Sequence, residues 1–344
     1  MPIERIIVTG HLGFIASAFC EAFREQYEIT GIDFAGWGSM ERNLMPGVRD
    51  VRADIADADT IRDIVDDVRP DAILNFAAES HVDRSNEDDT AFWRSNVFGT
   101  RALALEASRL GIRMVHVSTD EVYGDAASES NPWSETSPLA PKNPYAVTKA
   151  AAEMLLRVYC ESKKHNLDLV ITRGANTVGP RQFPEKAIPK AVWCFTHDEA
   201  FPLFRTPARR MWLHVGDHVA GVEAALREGK RGAIYNLAPP PDSEEITEDV
   251  IEKVREIIGK GEISKVEDRD NYDLRYWMDA SKAKVDLGWQ AAHGLEDTLQ
   301  STVEWYLKNP EWLDEAFAAA TPAKCNRRDR DTQPSHSGDA QGRA

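Results

Sequence analysis

Two short groups of residues carry the side chains with which this chain could perform acid–base chemistry. The first is the run Thr119, Asp120 and Glu121, and the second is the pair Tyr145 and Lys149. A tyrosine and a lysine four positions apart share one face of a helix, and a nearby ammonium favours ionisation of a phenol, which can then act as a base. Two adjacent carboxylates rarely keep the same pKa, so one can serve as acid while the other serves as base.

Both groups also have an ordinary structural interpretation. A Tyr/Lys pair is common on the surface of an amphipathic helix, and in a charged turn Asp120 would cap the chain while Glu121 faced water. We favour the chemical interpretation because Thr119 follows a predicted strand, and parallel sheets bind their ligands at the carboxyl ends of strands.

Strand-like and helical stretches alternate through the first half of the chain. The apolar runs that predict strands are 5–9, 28–33, 72–76, 113–118 and 167–173. The stretches that predict helices are 60–68, 89–110 and 144–163. This alternation indicates an α/β fold, a Rossmann-type doubly wound parallel sheet with helices on both faces.

A turn that contains two glycines follows the first predicted strand and opens a helix through Phe14 and Ile15. Gly10 allows a tight turn, and Gly13 lets the backbone approach a pyrophosphate at the positive end of the helix dipole. Ala16 stands where a third glycine is usual, and it is still small enough for close packing. Taken alone, the pattern also suits any tight turn from a strand to a helix.

The position of Asp33 supports a dinucleotide site. It ends the next predicted strand, about twenty residues further on, as a carboxylate that binds a cofactor ribose does. Because a carboxylate repels a 2′-phosphate, we predict NAD rather than NADP. Asp54 and Ile55 would flank the adenine, although Asp54 is equally well an ordinary loop acid.

The second half of the chain is richer in proline and in loops, with helical patterns over 246–258 and 295–308. We predict that it forms a smaller, loop-rich α/β domain for the substrate over 179–320, mostly 179–210 and 237–320.

The first half would form an NAD-binding domain over 1–178, with a return segment near 211–236. The last stretch, 321–344, is polar and rich in Arg, Asp, Ser and Gly. Such a composition cannot bury enough apolar surface to fold, so we predict a disordered tail.

The composition narrows the classes of partner. The chain has 344 residues and a net charge of −16, and a broadly acidic surface disfavours nucleic acid and anionic membranes as partners. Cys20, Cys160, Cys194 and Cys325 are spaced neither as a metal clip nor as a redox pair, so we expect no metal site and a reducing compartment. The sequence enters a strand pattern at once, and no apolar stretch reaches spanning length, which favours the cytoplasm.

With these residues in view, the sequence resembles the extended short-chain dehydrogenase/reductases. Within them it is most similar to the NDP-glucose 4,6-dehydratases, the enzymes of dTDP-glucose and UDP-glucose in deoxysugar biosynthesis. The resemblance covers about residues 3–312 and is most specific at the run Asp-Glu-Val-Tyr-Gly, residues 120–124. It continues through the segments 75–83, 143–149, 182–186, 268–276 and 309–312.

The resemblance implies a three-step reaction, a lyase cycle, on a nucleotide-linked hexose. Tyr145, helped by Thr119 and Lys149, would take the proton of the sugar 4-hydroxyl while the C4 hydride passes to NAD. Glu121 would then remove the C5 proton while Asp120 protonates the departing 6-hydroxyl. The stored hydride would return to C6 as Glu121 reprotonates C5. Because NAD is regenerated in each turnover, it should be held tightly.

The resemblance also implies two sets of binding residues. The cofactor set is Gly10, Gly13, Phe14, Ile15, Asp33, Asp54, Ile55, Ala77, Ser95, Tyr145 and Lys149. The substrate set is Ser80, Asn176, Glu185, Lys186, Arg210, Asn236, Arg269 and Tyr272. Arginine and lysine suit phosphate in geometry and charge, but each of these cations could equally form an ordinary surface ion pair.

Three segments depart from the family pattern. The loop 202–210 lacks the usual Gly-Asp-Gly turn and is shorter, Tyr272 stands where histidine is common, and 174–178 differs from the usual Ser-Asn-Asn-Tyr. These positions would face the nucleotide and the sugar. The reaction type is therefore better determined than the substrate, and a sugar nucleotide such as UDP-GlcNAc stays open.

Two other classes of function remain open. A nucleotide-sugar 4-epimerase or decarboxylase would use the same Tyr145 and Lys149, but it does not need an acid and a base at both Asp120 and Glu121. A non-catalytic NAD-binding protein would not need Tyr145 and Lys149 at all. The four residues together favour the dehydratase.

The long predicted helices 89–110 and 144–163 lie where this superfamily forms a four-helix interface between two subunits, so we expect a homodimer. The apolar residues that would suit this interface are Ala102, Leu105, Ala150, Met154 and Leu155. The same residues could instead pack against the sheet.

Overall fold

The structure, a computed structural model, describes residues 3–320 of the chain. Its strands are β1 (Arg5–Thr9), β2 (Glu28–Asp33), β3 (Arg49–Arg52), β4 (Ala72–Asn75), β5 (Arg113–Thr119), β6 (Asp168–Gly174), β7 (Asn176–Val178), β8 (Ala200–Phe204), β9 (Arg209–Arg210), β10 (Trp212–His214), β11 (Ile234–Leu237), β12 (Glu245–Ile246) and β13 (Glu262–Val266). Its helices are α1 (Phe14–Phe23), α2 (Ala58–Val68), α3 (Val82–Glu87), α4 (Thr90–Phe92), α5 (Thr100–Leu110), α6 (Pro144–Glu161), α7 (Ala187–Thr196), α8 (Val215–Glu228), α9 (Thr247–Ile258), α10 (Ser281–Leu287), α11 (Leu295–Lys308) and α12 (Pro310–Ala320).

Seven parallel strands form the central sheet, in the order β11-β6-β5-β4-β1-β2-β3. The predicted α/β fold of Rossmann type is confirmed, and so are the five predicted strands, within one residue at each end. Strands β3 and β11 complete the sheet and were not predicted. β3 is short, polar and mostly exposed at the sheet edge, and β11 has only four residues.

The helices differ from the prediction mainly at their ends. The predicted helix 60–68 begins at Ala58, because Asp57 caps it by accepting a hydrogen bond from the Thr60 backbone N–H at 3.2 Å. The predicted helix 89–110 is not continuous, since the π-helical stretch Trp93–Gly99 separates α4 from α5. The helices predicted in the second half are confirmed as α9 and α11.

The pairing register brings the carboxyl ends of five strands to one edge of the sheet. Thr9, the last residue of β1, pairs with Ile32 of β2 and with Asn75 of β4. Thr119, the last residue of β5, pairs with Gly174 of β6. The turns that follow these strands therefore lie side by side, and these turns carry the residues singled out for chemistry.

Hydrophobic cores cover both faces of the sheet. Helices α1 and α8 pack on one face, and α2, α5 and α6 pack on the other. A third cluster, built from α7, α9, α11 and α12, lies within the predicted substrate domain. The domain boundaries themselves stay a prediction.

Within the part of the chain that the structure covers, no helix is long and apolar enough to cross a membrane. The predicted tail 321–344, which includes Cys325, lies outside the described residues. Cys20, Cys160 and Cys194 are free thiols.

Candidate active site

One cleft runs along the carboxyl ends of the parallel strands. From the cofactor and catalytic sets it is lined by Gly10, Gly13, Phe14, Ile15, Asp33, Ile55, Ala77, Ser95, Thr119, Asp120, Glu121, Tyr145 and Lys149. From the substrate set it is lined by Ser80, Asn176, Glu185 and Lys186. Residues that are far apart in the chain meet here because many of them end or follow strands that finish at the same edge, while Tyr145 and Lys149 reach the cleft from α6.

The turn from β1 to α1 leaves a helix end open to the cleft. Gly10 has a φ of +73°, and a Cβ atom at this position would lie 2.9 Å from the Cα atom of Ala77, so only glycine fits. Gly13 precedes α1, and among the described residues no side chain caps this helix end. Its free backbone N–H groups and the positive end of its dipole suit a pyrophosphate.

Asp33 is held at the end of β2. Its Oδ2 atom accepts a hydrogen bond from the Leu12 backbone N–H at 3.2 Å, and its Oδ1 atom accepts one from Ser39 Oγ at 2.9 Å. These bonds orient a buried carboxylate beside the cleft, as recognition of a cofactor ribose requires. Asp54, in contrast, does not line the cleft, because its carboxylate pairs with Arg94 at 2.9 Å.

Two neighbouring carboxyl groups have different environments. Thr119 ends β5, and its hydroxyl donates to Asp120 Oδ1 at 3.1 Å and accepts from the Glu121 backbone N–H at 3.3 Å. The Asp120 side chain is 3% exposed, and burial together with the nearby Glu121 carboxylate raises the pKa of Asp120 to about 7. Asp120 can therefore hold a proton near neutral pH, as a general acid must.

Tyr145 and Lys149 lie on the first turns of α6. Lys149 Nζ donates to the Val117 carbonyl oxygen at 2.7 Å, and burial lowers the pKa of Lys149 to about 8. Burial and the Glu121 carboxylate raise the pKa of Tyr145 above its ordinary value. This direction is opposite to the phenolate that the Tyr/Lys spacing suggested, because the spacing reveals neither the burial of the phenol nor the carboxylates of Glu121 and Asp120 beside it.

Helix α6 is fixed at its first residues and again in its middle. The Asn143 side chain caps it by accepting a hydrogen bond from the Ala146 backbone N–H at 2.8 Å, and it also donates to Glu121 Oε2 at 2.9 Å. Further along, Glu153 accepts hydrogen bonds from the buried Arg173 guanidinium, which lies on β6. The helix that carries Tyr145 is therefore tied both to the acidic turn and to the sheet.

At the far end of the cleft, Trp37 bridges its two walls. Trp37 lies in the loop after β2, and its Nε1 atom donates to Glu185 Oε2 at 2.7 Å, across 148 positions of sequence. Burial opposes ionisation of Glu185, but Lys186 and His81 hold its pKa below the ordinary value. The Lys186 ammonium also donates to the Ser80 carbonyl oxygen at 3.1 Å. The hydrogen bond from Trp37 thus links the cofactor side of the cleft to its substrate side.

Arg210, Tyr272 and Arg269 do not line the cleft, but they form a cluster beside its acidic end. The Arg210 guanidinium lies 4.3 Å from the ring centre of Tyr276 and 5.7 Å from that of Tyr272. Arg269 lies 5.6 Å from the Tyr272 ring centre. The charge of Arg210 acts on Asp120, where it opposes the rise in pKa. This cluster therefore places the cation of Arg210 near Asp120 and holds a second cation, Arg269, beside Tyr272.

Asn236 requires a correction to the predicted substrate set. It is fully buried on β11, its Nδ2 atom donates to the carbonyl oxygens of Trp133 and Asp279 at 3.0 Å, and its Oδ1 atom accepts from Tyr123 at 2.8 Å. With donor and acceptor both engaged in the core, this side chain has no face to offer a ligand. We assign Asn236 to the core.

The cleft also contains polar groups that the sequence did not point to. Three such atoms, Ser118 Oγ, Gln182 Oε1 and His218 Nε2, are buried and have no hydrogen-bond partner among the described residues, and their side chains line the cleft. Buried polar atoms are normally paired, so these are free to bind a ligand. Motif reasoning missed them because they lie on β5, in a loop and on α8 without characteristic spacing, whereas Asn143 could have been found as a helix cap before Pro144.

Comparison with known proteins agrees with this geometry. Residues 7–302 match the family model for GDP-mannose 4,6 dehydratase. The chain is 38% identical to a dTDP-glucose 4,6-dehydratase of Streptomyces niveus, over 90% of this chain and 95% of the relative. It is also 38% identical to the low-salt glycan biosynthesis protein Agl12 of Haloferax volcanii, over 89% of this chain and 99% of the relative.

Solved structures give the same result at the level of the fold. The dTDP-glucose 4,6-dehydratase DesIV of Streptomyces venezuelae, solved with NAD and TYD bound, superimposes with a TM-score of 0.84 at 36% identity and covers 91% of this chain and 99% of its own. A UDP-glucose 4-epimerase of Thermotoga maritima also reaches a TM-score of 0.84, but at 25% identity over 89% of this chain and 99% of its own. The fold alone therefore does not separate dehydratases from epimerases, whereas sequence identity is higher to the dehydratase. The chain belongs to the GDP-mannose 4,6 dehydratase family, and its relatives in that family include dTDP-glucose 4,6-dehydratases.

Proposed function

We propose that this protein catalyses the NAD-dependent dehydration of a nucleoside-diphosphate hexose, dTDP-glucose or UDP-glucose in type, to the 4-keto-6-deoxy sugar. The observation that carries the proposal is the meeting of four groups in one cleft. Tyr145 and Lys149 stand opposite Asp120 and Glu121, and the pKa of Asp120 is raised to about 7. Oxidation of the sugar needs only Tyr145 and Lys149, whereas removal of water also needs the acid and base of the Asp120 and Glu121 pair.

The residues at one end of the cleft fit NAD. The open N-terminus of α1 would hold the pyrophosphate, Asp33 would bind the ribose hydroxyls, and Ile55, Ala77 and Ser95 would enclose the adenine and the adjoining ribose. When bound, NAD accepts a hydride from C4 of the sugar and returns it to C6. Because Asp33 carries a negative charge where NADP has a phosphate, the site favours NAD. Asp54 would act indirectly, through Arg94.

The proton of the sugar 4-hydroxyl would go to Tyr145. The lowered pKa of Lys149, about 8, still leaves this ammonium mostly charged at neutral pH, and its place one turn after Tyr145 on the same face of α6 would favour the ionised phenol. Thr119 would share a hydrogen bond with the same hydroxyl. Burial and the carboxylates of Glu121 and Asp120 oppose ionisation of Tyr145, and the positive charge of an oxidised nicotinamide in the cleft would favour it.

Water would then be removed from C5 and C6 by the acidic turn. Glu121 takes the C5 proton, which the new 4-ketone makes acidic, and the electron pair forms the C5–C6 double bond. The C6–O bond breaks, and Asp120 gives its proton to the leaving hydroxyl, so that one water is released. Glu121 later returns its proton to C5. Asp120 must therefore begin this step protonated and Glu121 ionised, as their unlike environments allow.

The substrate would lie from the acidic turn toward the cluster around Arg210. Ser80 and Asn176 would contact the sugar or its phosphates, and Glu185 and Lys186 lie on the same wall. The residues that would hold the diphosphate and the nucleoside are Lys186, Arg210, Arg269 and Tyr272. Tyr272 offers a flat ring for the base between two guanidinium groups.

The test is to incubate the protein with dTDP-glucose, UDP-glucose and UDP-GlcNAc in turn, with and without added NAD, and to measure the masses of the products by mass spectrometry. We expect one of them to lose one water without net formation of NADH. In deuterated water the product should carry one deuterium at C5. Products of unchanged mass would contradict the proposal, and epimers among them would establish a 4-epimerase instead.

We also propose a homodimer through α5 and α6. Met154 is 59% exposed, Val158 is 62% exposed, and Val147 lies on the same face of α6, while Phe98 of the neighbouring π-helical stretch is 60% exposed. Exposed large apolar side chains on neighbouring helical segments are of the kind that subunits bury. Of the interface residues expected from the sequence, Ala102 and Ala150 are instead packed in the core.

Sedimentation distinguishes a monomer from a dimer in solution and therefore tests the proposed interface. The double variant Met154→Glu, Val158→Glu should sediment as a monomer at a concentration where the natural protein is a dimer. Val285→Glu is the matched control, since Val285 is 82% exposed on α10 and lies outside the proposed interface. A natural protein that is monomeric at micromolar concentration, or a dimer that survives both charges, would refute this interface.

We further propose the cytoplasm as its location and the division into an NAD-binding and a substrate domain described above. Free, mostly buried thiols at Cys20, Cys160 and Cys194 support a reducing compartment. The separate hydrophobic cluster of α7, α9, α11 and α12 supports the second domain. Fractionation of cells and limited proteolysis between residues 178 and 211 would test the two proposals.

A further inference from the structure

Asn143 makes two hydrogen bonds with one side chain, and they join the two halves of the catalytic machinery. Its Oδ1 atom accepts from the Ala146 backbone N–H at 2.8 Å, which caps α6 two residues before Tyr145. Its Nδ2 atom donates to Glu121 Oε2 at 2.9 Å. The residue is 2% exposed, so water cannot readily replace either bond.

We infer that Asn143 is a positioning residue for the base Glu121, and that it sets the base in a fixed relation to Tyr145. This inference rests on the proposed function. The amide engages only one carboxylate oxygen of Glu121, so the other oxygen can reach the C5 proton. Because the same amide caps α6, any shift of the helix that moves Tyr145 moves Glu121 with it.

The charges around Glu121 explain why it needs such a partner. Asp120 is its chain neighbour, and burial together with the Glu121 charge raises the pKa of Asp120 and also that of Asp273. Ionisation of either of these neighbouring carboxyl groups would push the Glu121 carboxylate away from it. A neutral amide donor holds the carboxylate in place without adding a positive charge that would weaken it as a base.

An asparagine side chain can make both hydrogen bonds, since its oxygen accepts from the helix and its amide nitrogen donates to Glu121. Serine and aspartate cap helices as well as asparagine does, but in this place neither offers an amide donor to Glu121. Replacing Asn143 with serine or aspartate therefore separates its two roles. Asn143→Ser keeps the cap and replaces the amide donor by a shorter hydroxyl that does not reach as far toward Glu121, and Asn143→Asp keeps the cap and places a third carboxylate beside Glu121.

The test measures the two halves of the reaction separately in each variant. With whichever of dTDP-glucose and UDP-glucose the natural protein dehydrates, oxidation at C4 is followed by the absorbance of reduced nicotinamide, and elimination by loss of water and by deuterium uptake at C5. For Asn143→Ser we expect kcat to fall about 100-fold, the cost of a base misplaced by about 1 Å. KM should stay nearly unchanged, and reduced nicotinamide should accumulate during turnover. Asn143→Asp should lose at least as much.

A purely structural role would give a different pattern. Asp57→Ala removes the N-cap of α2 at a residue that does not line the cleft, and it should lower stability without any accumulation of reduced nicotinamide. An Asn143→Ser variant that behaves like this control, or like the natural protein, would overturn the inference. If the serine variant does not fold, the same measurements on Asn143→Asp provide the test. If the natural protein removes water from neither sugar nucleotide, the proposed function fails first and the inference fails with it.

Discussion

The raised pKa of Asp120 predicts that Asp120→Asn makes the protein more stable while it disables elimination. In the unfolded chain this carboxyl group ionises at its ordinary value of 3.8, and in the fold it ionises at about 7. A pKa raised by folding means that the folded state holds the proton more tightly. The stability contributed by this group is therefore complete below 3.8 and is lost as the pH rises through about 7.

The size of the effect follows from the two pKa values. At 1.36 kcal/mol for each pKa unit, ionising Asp120 inside the fold costs about 4 kcal/mol at high pH. An asparagine of the same shape carries no charge at any pH, so this cost disappears. The free energy of unfolding of Asp120→Asn, relative to the natural protein, should increase by about 2 to 3 kcal/mol between about pH 5 and about pH 8.

The assay is urea unfolding of both proteins at the two pH values, followed by the dehydration rate of each. The rate of Asp120→Asn should fall by roughly 10²- to 10⁴-fold, because an amide cannot protonate the leaving hydroxyl. Asp125→Asn is the control of opposite sign. Although burial opposes it, backbone hydrogen bonds from Ala127 and Arg275 and the nearby Lys142 hold the pKa of Asp125 below its ordinary value. Equal stability changes for Asp120→Asn at both pH values would refute the assignment of a buried, protonated acid.

Two further predictions concern the proposed base Tyr145 and the hydrogen bond from Trp37 to Glu185. Tyr145→Phe should keep the fold and lower the rate of C4 oxidation by roughly 10²- to 10⁴-fold, as measured by reduced nicotinamide in a single turnover; a loss below tenfold would mean that another group is the base. Trp37→Phe keeps an aromatic ring but removes the N–H that donates to Glu185. A hydrogen bond to a charged group is worth about 1.5 to 3 kcal/mol. Bound NAD should then dissociate about 10-fold faster or more during gel filtration, and unchanged retention would show that the two walls hold the cofactor without this bond.

The sequence alone was enough to predict five of the seven strands of the sheet, and most of the predicted site residues line the cleft. Strand and helix periodicity depends on neighbours along the chain, and so does the turn at Gly10 and Gly13. In a parallel α/β sheet the carboxyl ends of the strands meet at one edge by construction. Any residue placed just after a strand, such as Asp33 or Thr119, is therefore placed near the site without knowledge of a single tertiary contact.

Three-dimensional packing decided which of these side chains are available and in what ionisation state. Asn236 follows the same logic of position, but its amide is used within the core. The helical spacing of Tyr145 and Lys149 predicted their shared face correctly, yet burial and Glu121 determine the direction of the Tyr145 pKa. Ala102 and Met154 are both apolar residues on predicted interface helices, and only the fold shows that one is buried and the other exposed.

The physical reason for this division is the range of the interactions involved. Backbone periodicity, capping and turn geometry act over a few residues, so the identities of Asp120, Glu121, Tyr145 and Lys149 and their placement on a turn and a helix were already determined by local sequence. Burial and Coulomb interactions add contributions from every element that folds against a site. The proton on Asp120, the bond from Asn143 to Glu121 and the bond from Trp37 to Glu185 exist only because distant segments meet, and they could be known only from the tertiary structure.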